Sequence, residues 1–270
     1  MVTDRPTTIR PTTPPAIRDT GPYSTRNTAK GALIAETGFV FAAIRDGMTV
    51  EQVREEVLDG ALLPQRTRNS RKGIWDRIHY RYLTHHIEWV VSSFVDALDE
   101  GSHSDEFTSL AYLHYALRDR VTFDFVTDAL WHKGYQTRPL VPRNDVLDLL
   151  DQKASQHPEI QRWTETSRVK LAGNILTALR DFGVLEGTQK KFLVRPGLPP
   201  TTAEHILRIL TVEGRRGREV VEDPTWRLFM LTEQDVSATL AKLSREGNVH
   251  FEKVGMTVVL QTPPEWEEER

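Results

Sequence analysis

Apolar residues recur at helical spacing along most of the chain, and breaks in that spacing mark its elements. From Asn27 to Asp46 the pattern predicts a helix with Leu33, Ile34, Phe41 and Ile44 facing inward, ended by Gly47. Thr49 and Gln52 then form a capping-box signature before a helix with Val50, Val53, Val57 and Leu58 on one face. A loop through Gly60 and Pro64 leads to QRTRNSRKGIWDRIHYRYL, where Ile74, Ile78 and Tyr82 share a face. Thr84 to Leu98 predicts another helix, with Ile87, Val90, Val91, Phe94 and Leu98 inward. Two more follow, one marked by Phe107, Leu110 and Leu117, the other by Val121, Phe125 and Ala129 and ending before Gly134. Pro139 and Pro142 bracket a linker, and a helix from about Asn144 to Ser155 comes next.

The stretch from Trp163 to Val194 is the most telling. Thr164 suits a helix cap, and Glu165 lies where the positive end of the helix dipole favours a carboxylate. Val169, Ala172, Ile175, Leu176, Leu179 and Phe182 form a core-facing stripe. The opposite face carries Thr166, Lys170, Asn174 and Thr177, with Ser167 and Arg168 alongside. Gly183 is placed to stop the helix. Val184-Leu185 and Phe192 to Val194 flank a turn-prone Glu186-Gly187-Thr188 and the pair Lys190-Lys191, which predicts a basic hairpin. A polar-faced helix feeding a basic hairpin is the docking half of a winged helix-turn-helix.

Pro196 to Pro200 forms a second hinge. Ala203, Ile206, Leu207 and Leu210 predict a short helix, and EGRRGRE a charged loop. Thr232 and Asp235 cap a further helix with Val236, Leu240 and Leu243 inward. Asn248 to Lys253 and Met256 to Gln261 read as two strands, so helix-then-hairpin occurs twice. The acidic EWEEER tail reads as solvated. The expected organisation is a flexible Pro/Thr-rich arm (1–26), a helical helix-turn-helix domain (27–138), a winged-helix domain (139–196) and a C-terminal helix-and-hairpin module (197–270). The fold class is mostly α, with short β-hairpin wings in the C-terminal half.

The chain has 270 residues, 39% hydrophobic and 27% charged, an ordinary make-up for several modest cores. No apolar run approaches the roughly 18 residues that span a bilayer, so no membrane role is expected. The first residues lack an apolar core region and are not expected to be a secretory signal. The absence of cysteine removes disulfides, thiolate metal sites and cysteine nucleophiles, and points to the cytoplasm. A formal net charge of −3 argues mildly against nucleic acid, so the question is whether cations cluster. They do. Between Ala61 and Tyr82 lie Arg66, Arg68, Arg71, Lys72, Arg77 and Arg81 against one anion, Asp76. That density falls where the second helix of a helix-turn-helix meets DNA.

Chemistry is scarce. There is no G-x-x-x-x-G-K-[ST], no H-E-x-x-H and no G-x-S-x-G. His85-His86 beside Glu88 is the most ligand-like cluster, but adjacent helical residues point about 100° apart. Asp145, Asp148 and Asp151 read as a solvated acidic face, and His79, His114 and His132 as partly buried helix residues. No cofactor, metal or catalytic residue is expected.

With these residues in view, the chain resembles the BrxA family of BREX phage-exclusion systems. The resemblance rests on Ala32, Leu33 and Glu36, on RTRNSRKGIWDRI, and most specifically on Trp163, Thr166, Ser167, Lys170 and Leu171 followed by Leu179, Asp181, Gly183, Val184 and Leu185. It covers about residues 28 to 194. It implies a mostly helical protein with helix-turn-helix and winged-helix modules that binds duplex DNA beside a methyltransferase, an ATPase and a phosphatase-like protein. DNA contacts would fall on Arg66, Arg68, Arg71 and Lys72 and on Ser167, Arg168 and Lys170.

The sequence thus leads to the expectation of a non-enzymatic, double-stranded-DNA-binding component of an antiviral defence system. Its contact set is Arg66, Thr67, Arg68, Asn69, Ser70, Arg71, Lys72, Arg77, Thr166, Ser167, Arg168, Lys170, Lys190 and Lys191. The alternatives are an assembly module that touches only protein partners, and a hydrolase whose site carries no recognisable motif.

Overall fold

Short polar side chains set where five of the described helices begin. In the computed structural model, which describes residues 17–28, 31–84 and 87–268, Thr49 caps α2 (Val50–Asp59) and Gln52 returns the bond to the Thr49 N–H, completing the capping box. Thr67 caps α3 (Arg68–Ile78), Ser104 caps α5 (Asp105–Leu117), and Thr164 caps α9 (Glu165–Asp181). Thr232 and Asp235 form a second reciprocal box on α12 (Glu233–Arg245). Each hydroxyl satisfies an N–H that the first helical turn leaves without a partner.

Where the backbone departs from the periodic pattern, a local cause is visible. The first long helix, α1 (Ile34–Arg45), starts seven residues later than the apolar spacing predicts. Leu33 sits in the left-handed region (φ 58), and upstream only a 3-10 turn, Arg26–Thr28, forms. The Asn27 side chain is drawn inward to Arg81 rather than continuing a helix. Beyond α3 the chain winds through a π turn, His79–Leu83; α4 (Glu88–Ala97) follows, and His85-His86 lie outside the described residues. After α5, the segment α6 (Arg120–Asp124), a π turn at Phe125–Leu130 and α7 (Trp131–Lys133) make one winding rod.

The C-terminal half holds α8 (Arg143–Lys153), α9, the hairpin β1 (Leu185–Glu186) and β2 (Phe192–Leu193), then α10 (Pro200–Val212) and α11 (Arg218–Glu222). A 3-10 segment, Pro224–Phe229, leads to α12, β3 (His250–Val254), β4 (Thr257–Gln261) and α13 (Pro264–Glu268). Both hairpins are antiparallel. The first gains a third line of backbone: Leu140 bridges Phe192, and the flanking bonds Leu193 N–H to Pro139 O and Val141 N–H to Lys191 O extend it. Gly187 is required in its turn, because it has φ +93 and an added Cβ would stand 2.2 Å from the Lys190 carbonyl.

The core is organised around α5. From Phe107 onward only Thr108 is not buried, and a helix apolar on every side belongs in the centre. Phe41 and Phe94 stack at 4.5 Å, with Tyr82 and Phe107 packed edge-on. The Tyr112 hydroxyl donates to the Leu228 carbonyl, tying α5 to the C-terminal half. Buried residues from Ile17 to Trp266 form one contiguous cluster, so the three expected modules share a core.

Three expectations change. Residues 17–26, expected as part of a flexible arm, form a strap: Ile17 and Tyr23 are buried, Arg18 pairs with Glu213 and Asp223, and Tyr23 stacks on His157. The rest of that arm, residues 1–16, lies outside the described residues. The tail is not simply solvated, since Trp266 on α13 is buried against α10. On α9, Leu171 and Ala178 join the buried stripe while Val169 is only half-buried.

Candidate nucleic-acid interface

The basic start of α3 is less available than its sequence suggests. The Arg71 guanidinium folds back and donates to the carbonyls of Leu58, Gln65 and Arg66, closing the end of α2 and the loop that follows. Arg71 is therefore a clamp on backbone: its fork meets the Leu58 carbonyl at the end of α2 and two carbonyls of the loop beyond. Arg81 is buried, bonded to Asn27, Gly31 and Ala32 and stacked over Tyr115. Arg77 donates to the Gly73 carbonyl, and burial followed by the charge of Arg81 lowers its pKa. Arg68 and Lys72 are exposed but face carboxylates, Asp59 at 3.3 Å and Asp76 at 2.7 Å. Arg66 and Asn69 are exposed, Ser70 is half-buried, and the Thr67 hydroxyl accepts the Ser70 N–H.

The polar face of α9 fares differently along its length. Thr166 and Lys170 are exposed. Ser167 is held by the Thr164 cap, and Arg168 is turned toward Asp151 of α8. Asn174 donates to the Thr28 carbonyl, so the strap covers the middle of that face. Beyond it a second group of cations gathers. The Arg143 guanidinium lies over Gly173, where an added Cβ would stand 3.8 Å from its Nε. The Lys191 pKa is lowered, first by burial and then by the charges of Arg180 and Arg143, with Asp181 opposing. Cations that lie close enough to bear on the Lys191 ammonium make this end of α9 locally positive, a setting that favours an anion. Lys190 is exposed beside them, while Lys191 donates to the Thr188 carbonyl and stiffens the turn.

Arg143 and Arg180 were not among the residues singled out from sequence. Arg180 could have been, since Lys170, Gly173, Thr177 and Arg180 follow three-four steps along one stripe. Arg143 could not, because only the packing of α8 on α9 brings it there.

The BrxA family model matches residues 21–209. The chain belongs to the BrxA family. It is accordingly a component of a BREX phage-defence system. Among solved structures this BrxA-family chain is similar to an uncharacterised protein from Magnetospirillum magneticum, with 16% identity and a TM-score of 0.61. That likeness spans 78% of this chain and 100% of the other, and at such identity it shows the fold alone. No curated protein matches.

The family match ends within α10, and the module beyond it has a different electrostatic character. The first turn of α12 carries Glu233 and Asp235 where α9 has Glu165 followed by Ser167, Arg168 and Lys170. Bonding to Lys253 lowers the Glu233 pKa, and the Thr232 backbone N–H lowers that of Asp235, so both stay ionised. Glu233 faces Lys253 and Asp235 faces Arg195, so the acids of this helix start are held in ion pairs. Among the described residues no group of three or more His, Asp or Glu stands close enough to hold a metal ion, and no helix is long and apolar enough to cross a membrane.

Proposed function

We propose that this BrxA-family protein binds double-stranded DNA, without enzymatic activity, as its part in BREX defence in the cytoplasm. The order α6–α7, the strand at Leu140, α8, α9 and the β1–β2 hairpin reads as a winged helix. Its docking face is the outward side of α9 together with the hairpin. The observation that carries this reading is Arg143 over Gly173 with Lys191 nearby, beside exposed Lys170 and Lys190; Arg180 stands with them but is paired with Asp181 at 2.6 Å. Arg66, Thr67 and Asn69, at the start of α3, supply a second, lesser contact. Phosphate contacts of this kind position a duplex without selecting a sequence.

Titration of a labelled duplex at several salt concentrations tests the proposal. If Arg143, Lys170, Lys190 and Lys191 engage phosphates, affinity falls with a log–log slope of about −4. A flat response, or no binding at low salt, would remove it. Metal-dependent cleavage of the same duplex by purified protein would overturn the non-enzymatic part.

The acidic start of α12 favours a second role for the C-terminal module, docking of protein partners. The methyltransferase, the ATPase and the phosphatase-like protein of the system are the partners to test by co-purification with the full-length protein and with its Glu233→Lys variant.

A further inference from the structure

Between the root of the β1–β2 hairpin and the start of α12 lies a cleft of about 320 Å³, near the small end of the ~300–1,000 Å³ range of ligand sites. Trp131, Tyr135 and Met230 line it together with Arg138 and Arg195, whose side chains are more than half exposed. Three independent features distinguish it.

Tyr135 is 69% exposed although it belongs to an aromatic pair, its ring 5.5 Å from that of Trp131 and nearly perpendicular to it. A large ring held open to water beside arginines is a stacking platform. The backbone around it is strained. Among the described residues three non-glycine residues adopt left-handed φ, and two of them, Arg138 (φ 49) and Met230 (φ 55), line this cleft. Such conformations persist only where the surrounding structure fixes them, and Met230 is held as the cap that ends Pro224–Phe229. Gly134 completes the fit, because a Cβ there would press on the Met230 sulfur at 3.3 Å.

The charges are arranged by side. Arg138 bonds to Glu186 and lies over the Phe192 ring, and Arg195 bonds to Asp235 at 3.0 Å. Asp235 already accepts from the Thr232 N–H and hydroxyl, so Arg195 shares it with the helix cap. Both guanidinium side chains are more than half exposed, and each has donors left for a phosphate. The adjoining hollow beyond Trp131 and Tyr135 is lined by Glu222, Asp223 and Glu233 with a single cation, Arg227, so an anion is better placed on the side of Arg138 and Arg195. A ligand with a flat apolar end and an anionic end has one orientation here.

We propose that this cleft binds a nucleotide, its base stacked on Tyr135 and its phosphate held by Arg138 and Arg195. On the DNA-binding reading, which the second half of this inference assumes, the nucleotide is an unpaired one in the strand held by the β1–β2 hairpin. The protein would then distinguish interrupted from intact duplex.

Full-length protein is titrated with an intact duplex, with the same duplex carrying one unpaired adenine, and with adenosine monophosphate followed by tryptophan fluorescence. The expected result is at least about fivefold tighter binding of the interrupted duplex, the low end of one base–aromatic stack. Tyr135→Ala removes that preference, keeps intact-duplex affinity within about twofold, and abolishes the fluorescence change produced by the mononucleotide. Arg138→Ala weakens both interrupted-duplex and mononucleotide binding. Equal affinity for the two duplexes, with no fluorescence change, overturns the inference while leaving general DNA binding intact. A Tyr135-dependent fluorescence response with no binding of either duplex supports the nucleotide site and overturns its link to a DNA strand.

Discussion

His114 on α5 and His205 on α10 meet with their Nε2 atoms 2.8 Å apart, both rings buried. The Ser93 hydroxyl donates to the Trp89 carbonyl, so it accepts from His205 Nδ1–H. His205 Nε2 is then bare and accepts from His114 Nε2–H. This arrangement requires two neutral rings, and it joins the central helix to the C-terminal module.

Burial and then the charge of Arg118 lower the His114 pKa from 6.5 to about 3, and burial, His114 and Arg208 lower that of His205 well below 6.5. The unfolded chain protonates both rings below their ordinary pKa, whereas the folded chain does not. Stability from this pair is therefore complete above pH ~6.5 and is lost as pH falls toward the folded values, by up to ~1.4 kcal/mol per pH unit for each ring. Urea denaturation between pH 7 and pH 4 should show that decline. The double variant His114→Leu/His205→Leu should flatten it, and an unchanged slope would assign the acid sensitivity to other groups.

Arg71 and Arg66 should separate stability from binding. Arg71→Ala removes charged donors from three carbonyls and should cost about 2 kcal/mol or more. Arg71→Lys should recover little, since an ammonium lacks the planar fork. Arg66→Ala, at an exposed position, should stay within about 0.5 kcal/mol of the parent in the same chemical denaturation.

Charge reversal ranks the two candidate surfaces. Arg143→Glu and Lys170→Glu should each weaken duplex binding by about 1 kcal/mol or more and make the salt slope shallower by about one. Arg68→Glu, which loses a cation already facing Asp59, should matter less. If Arg68→Glu has the larger effect, the principal contact lies at α3.

The strap should be structural. Tyr23 stacks on His157 at 3.8 Å, donates to Asp124 at 2.6 Å, and its N–H reaches Glu159. Tyr23→Ala should destabilise the protein by about 3 kcal/mol, as for other buried aromatics, and Tyr23→Phe by about 1 kcal/mol. Thermal melts of the two variants would test this, and a Tyr23→Ala protein as stable as the parent would make the strap a bystander.

Much of this was legible in the sequence wherever cause and effect lie within one turn of helix. Thr49 with Gln52 and Thr232 with Asp235 cap as their spacing demands, and Gly187 turns the hairpin that Phe192 and Leu193 form. The charged side chains were less legible. Arg66, Arg68, Arg71, Lys72, Arg77 and Arg81 look alike along the chain, yet they end as an exposed cation, ion pairs, donors to backbone carbonyls and a buried anchor.

By itself, then, the order of residues determined the helices, the two hairpins and the polar stripe of α9, because caps, turns and hydrophobic period act between near neighbours. Tertiary structure alone decided which cations remain available, brought Arg143 over Gly173, laid the strap on Asn174 and opened the cleft beside Tyr135. A long flexible cation takes whichever acceptor the fold brings within reach, and that choice is made between residues far apart in the chain.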